Sequence, residues 1–117
     1  MKQAFACLVF LATPVLADAP VIEQVTARQT GASWSFSVTL SHPDTGWDHY
    51  ADGWEVLAPD GIRLGFRELL HPHVNEQPFT RSQSGIRVPV GIDKVLIRAR
   101  DNVDGWAEGT VEFTLPK

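Results

Sequence analysis

The chain holds four histidines, His42, His49, His71 and His73, and all lie in two short stretches rich in Asp, Trp and Pro. His71 and His73 flank Pro72, so in extended backbone their imidazoles project from the same face. His42 and His49 come from the other stretch, where Asp44 and Asp48 add carboxylate oxygens, and Glu76 follows His73. Three imidazoles with a carboxylate would suit Zn²⁺ or Cu²⁺. The alternative is a turn role, since His42-Pro43 and His71-Pro72 are X-Pro pairs that adopt extended or turn geometry whatever X is. No HExxH or comparable closed signature is present.

Other chemistry is more thinly represented. Asp44, Asp48, Asp52, Asp101 and Asp104 could line a Ca²⁺ loop, but none follows EF-hand spacing, and Asp in Asp44-Thr45-Gly46 and Asp104-Gly105 is what turns require. Trp47, Tyr50, Phe79 and Trp106 fall outside the regular alternation and could form a ligand pocket or a protein-contact patch. Ser82 and Ser84 stand near the histidines without a GxSxG elbow, and no phosphate-binding or dinucleotide fingerprint occurs. The expected role is therefore binding, not catalysis.

The amino terminus predicts export. Lys2 precedes the apolar run Ala4–Ala12, too short for a membrane span, and Val15-Leu16-Ala17 sets small residues before a cleavage point. Residues 1–17 thus read as a cleavable signal peptide and 18–117 as one domain, placed in the periplasm or outside the cell. The leader carries the one Cys and the one Met of the chain, so the mature protein would hold no sulfur, which argues against a cuprous site. The net charge of −4 becomes −5 once Lys2 is lost. With no basic stripe, nucleic acid and anionic membrane are poor partners, and a periplasmic protein or small ligand is the expected one.

The elements that must position these residues have period two. Residues 21–28 and 34–41 alternate, the latter with Trp34, Phe36, Val38 and Leu40 on one face. Further strands are expected at 54–57, 62–70 (returning from the turn Pro59-Asp60-Gly61), 85–90, 94–100 and 107–115. Trp34 and Trp54 read as core. Seven short strands without helical periodicity predict an all-β antiparallel sandwich. Up-and-down order places the loops containing residues 42–52, 71–76 and 101–106 at one end, opposite the plain turns.

Within this pattern, Val95-Leu96-Ile97-Arg98-Ala99-Arg100-Asp101 followed by Gly105 resembles the penultimate strand and loop of fibronectin type III and related immunoglobulin-like domains. Trp54 is similar to the core tryptophan of that superfamily. The chain departs from it in lacking a disulfide and in carrying Val95 where many relatives have the corner tyrosine. The resemblance implies the sandwich fold and a binding or spacer role, and it transfers no catalytic residue.

Overall fold

The computed structural model describes residues 19–117; the leader read in residues 1–17 lies outside them. Eight strands follow in order: β1 (Val21–Thr30), β2 (Ser33–Ser41), β3 (Ala51–Leu57), β4 (Arg63–Glu68), β5 (Phe79–Ile86), β6 (Lys94–Asp101), β7 (Gly105–Trp106) and β8 (Val111–Thr114). Every pairing is antiparallel. One sheet has the order β1-β2-β5; the other runs β4-β3-β6-β7, with β8 also on β6. Among the described residues no helix forms.

The alternation in β2 explains the layering. Trp34, Phe36, Val38 and Leu40 point inward, and the intervening Ser35, Ser37 and Thr39 meet Ser84, Ser82 and Thr80 of β5 across the outer face. The second sheet answers with Trp54 and Val56 from β3 and Val95, Ile97 and Ala99 from β6. Full burial of each large apolar side chain is worth about 1.5–3 kcal/mol, so these residues hold the two sheets face to face. On the outer face of the second sheet, the buried Glu55 accepts from Arg63 (2.8 Å) and Arg98 (2.7 Å).

Two expectations about strands need correction. Eight strands replace seven because Gly105–Trp106, expected in a loop, forms a short strand with Trp106 opposite Arg100, while the expected final strand, 107–115, shortens to Val111–Thr114 with Val111 opposite Ile97. Between them the exposed Glu108, Gly109 and Thr110 leave the ladder. The strand expected at 85–90 instead occupies 79–86. Its inward positions alternate Phe79, Arg81, Gln83, so long polar chains masked the periodicity, while Val90 is fully exposed.

Chain directions place β2 and β6 so that both finish at the same end: Val21 pairs with Ser41, and Ala51 pairs with Asp101. The β2–β3 loop, the β4–β5 loop and the β6–β7 turn gather there.

Candidate metal centre

The inward parity of β2 runs 34, 36, 38, 40 and continues to His42; that of β6 runs 95, 97, 99 and continues to Asp101. Each strand therefore adds a polar residue to its core-facing row where the core meets the loop end. Both are buried, His42 at 3% exposure and Asp101 at 0%. His49 arrives from the β2–β3 loop, where Gly46 (φ +145°) opens a tight reversal closed by Thr45 N–H to His49 O (3.0 Å) and His49 N–H to Gly46 O (3.2 Å). Asn102 ties that loop to the β6–β7 turn, accepting from Tyr50 N–H at 2.8 Å and donating to Trp47 O at 3.0 Å.

The outcome is a three-residue group. His42, His49 and Asp101 offer donor atoms that all lie within 4.8 Å of one another, and the His42 and His49 rings meet edge to face at 4.8 Å between centroids. His49 Nε2 stands 3.5 Å from Asp101 Oδ1 without a hydrogen bond. Donors sharing one tetrahedral ion at about 2 Å would be about 3.3 Å apart, so modest side-chain adjustment brings the three onto one ion.

Asp44 fixes which nitrogen His42 presents. Its Oδ1 lies 2.6 Å from His42 Nδ1 and also accepts Ala51 N–H at 3.0 Å, while Oδ2 accepts His73 N–H at 2.8 Å. A carboxylate that takes two backbone N–H groups acts as an ionised acceptor. With the carboxylate accepting, His42 Nδ1 is the donor, and in the neutral ring Nε2 is left with its lone pair. This is the carboxylate–histidine arrangement that orients metal-binding imidazoles. Asp101 Oδ1 is likewise engaged, by the N–H groups of Val103 (2.8 Å) and Asp104 (2.7 Å).

Three unsatisfied atoms fall within this group, besides Trp54 Nε1, Arg67 Nε and His73 Nδ1 elsewhere. His42 Nε2, His49 Nε2 and Asp101 Oδ2 are all buried without a hydrogen-bond partner. Each orphaned polar atom costs about 1–3 kcal/mol, and these three belong to one cluster. A bound cation would satisfy them together.

The other expected site residues are placed differently. His73 is buried, stacks on Phe79 at 3.9 Å between centroids, and meets Arg81 Nη2 at 2.9 Å through Nε2. Burial first, then the charges of Arg81 and His71, hold its pKa below the usual histidine value. His71 is exposed beside it, with its ring 4.8 Å from that of His73. The histidines thus form two pairs, and the four do not constitute one ligand set. Asp44 serves as orienter, Asp48 is exposed, and exposed Glu76 lies 3.4 Å from Arg81.

Phe79, expected on a ligand surface, is 2% exposed and belongs to the core. Trp106 is half-buried on the outer sheet face, with the guanidinium of Arg98 4.9 Å from its ring. Trp47 alone of that group is widely exposed, at 66%, packed edge-on against Tyr50. Asp101 was absent from the expected imidazole-and-carboxylate set because its Asp-rich surroundings read as turn or calcium chemistry. The inward parity of β6 was the signal that pointed to it.

No family model matches the chain, and no solved structure does. A protein of Halomicrobium mukohataei described as "Putative lipoprotein" is 45% identical over 91 residues, which make up 78% of this chain and 44% of that protein. The chain therefore spans less than half the length of this relative.

Proposed function

We propose that the chain is an exported, envelope-associated, non-catalytic domain that binds a divalent transition metal, Zn²⁺ or Cu²⁺, through His42 Nε2, His49 Nε2 and the Asp101 carboxylate. The observation that carries this reading is the cluster of three buried polar atoms with no hydrogen-bond partner. Nitrogen and oxygen donors of this kind suit borderline divalent ions. The lipoprotein description of the Halomicrobium relative and the signal-peptide pattern of residues 1–17 support an envelope location. The sheet orders β1-β2-β5 and β4-β3-β6-β7 support an immunoglobulin or fibronectin III-like sandwich.

Calorimetric titration of metal-free protein with Zn²⁺ and Cu²⁺ tests the reading. His42→Ala and Asp101→Asn should each weaken binding at least tenfold, whereas His71→Ala should leave it unchanged. Binding weaker than millimolar, or equal in all three variants, rejects it. A second reading, docking of an envelope partner, is favoured by Trp47, whose ring is exposed on a loop held by Asn102. Identical partners captured by wild-type and Trp47→Ala protein would reject that one.

A further inference from the structure

His42 Nε2, His49 Nε2 and Asp101 Oδ2 are closed off from solvent, and the His49 ring shuts edge to face on that of His42. An ion can reach these donors only if part of their cover moves. The segment 45–50, which carries His49, is placed to move by itself. Its reversal is closed by its own bonds between Thr45, Gly46 and His49. Fixed residues bound it: Asp44, with both carboxylate oxygens engaged, and Ala51, paired with Asp101. Trp47, its largest side chain, is mostly exposed and anchors it little.

Among the described residues, the hydrogen bonds from 45–50 to the rest of the fold all run to Asn102. Its Oδ1 accepts Tyr50 N–H at 2.8 Å, and its Nδ2 donates to Trp47 O at 3.0 Å and Asp48 O at 3.4 Å. Its backbone N–H donates to Tyr50 O at 3.1 Å. These contacts bracket His49 on both sides, and Asn102 directly follows Asp101. They therefore fix one metal-binding residue against another. Asn102 is also exposed, so water can replace its bonds and the segment can lift while the sheets stay paired.

We propose that Asn102 is the positioning residue for His49, and that residues 45–50 form a flap which must release Asn102 before an ion enters or leaves. The inference rests on the metal reading above. Lifting the flap uncovers His42 and Asp101 and withdraws His49, one of the three donors. Exchange of the ion is then limited by opening of the flap.

Release of Zn²⁺ into a chelator tests this. The full chain, loaded with Zn²⁺, is mixed with rising chelator concentrations, and its global unfolding rate is measured in parallel. Wild-type release should reach a plateau independent of chelator and faster than global unfolding. Asn102→Ala removes the three side-chain bonds and should raise the plateau about tenfold. Asn102→Ser, too short to span the same groups, should shift it in the same direction and stands in if the alanine variant does not fold. Gly65→Ala crowds Ile86, which pairs with Trp34 at the far end of the sandwich, and should leave the plateau within about twofold. Release from the Asn102 variant within about twofold of wild type, or equal acceleration by Gly65→Ala, would overturn the flap and leave the metal site standing. Wild-type protein that binds no Zn²⁺ would overturn both.

Discussion

Replacing Asp44 by Asn removes one formal charge and one acceptor from the group that orients His42. The buried carboxylate receives three hydrogen bonds, from His42 Nδ1–H, Ala51 N–H and His73 N–H. In one amide orientation the oxygen still serves His42 and Ala51, and the NH₂ confronts His73 N–H, donor against donor. In the other, the NH₂ faces His42 Nδ1, which must then accept, and the ring proton moves to Nε2, where it blocks coordination. Either arrangement lowers metal affinity. Loss of such an orienting partner costs about tenfold to a hundredfold, or about 1.4–2.8 kcal/mol. The lost backbone bond costs the fold about 1–3 kcal/mol as well, which for a domain of this size lowers Tm by about 4–8 °C per kcal/mol. The assay is Zn²⁺ competition against a chromophoric chelator, with the Tm of metal-free protein measured in parallel. Asp48→Asn, altering an exposed carboxylate in the same loop, should leave both unchanged. Folded Asp44→Asn protein with Zn²⁺ affinity within about twofold of wild type would refute the second-sphere reasoning.

The opposite region of the fold supplies a packing test. A Cβ on Gly65 would stand 2.7 Å from Ile86 Cγ1 and 2.8 Å from its Cδ1, so Gly65→Ala must push β4 from Ile86. A loss of about 1–3 kcal/mol is expected by urea unfolding, with metal affinity intact; unchanged stability would show that Ile86 yields freely. His73 supplies the pH test. Its folded-state pKa lies below the unfolded value, so the unfolded chain binds more protons in that window. The contribution is fully present above the unfolded pKa, near 6.5, and is lost as pH falls through the lower folded value. His73→Gln should flatten the fall in stability between about pH 7 and pH 5; curves of equal slope would contradict this.

Much of the site's location was legible in the residues, and its composition was less so. Chain direction alone brought the His42, His71 and Asp101 segments to one end, because short antiparallel strands leave little choice. Parity was the information left unused: His42 extends the row of Leu40, and Asp101 that of Ala99. His71 and His73 misled because spacing across Pro72 shows only that two rings share a side. Whether Phe79 and Arg81 claim one of them depends on where β5 begins, and the long polar chains of Arg81 and Gln83 at its inward positions hid that start. The late start of the last strand escapes notice for a related reason, since residues 108–110 carry no large apolar side chain to mark where pairing begins.

The donors come from opposite sheets and are widely separated along the chain: His42 follows β2, and Asp101 closes β6. They meet only once both layers have docked in register. A cation held there would therefore arrive late in folding and could do little to hasten it. Its effect would fall on escape from the native state, since contacts absent from the transition state act mainly by slowing unfolding. With no cysteine in residues 18–117, such a clasp would lengthen the lifetime of the native fold, a task that disulfides perform in many small secreted domains.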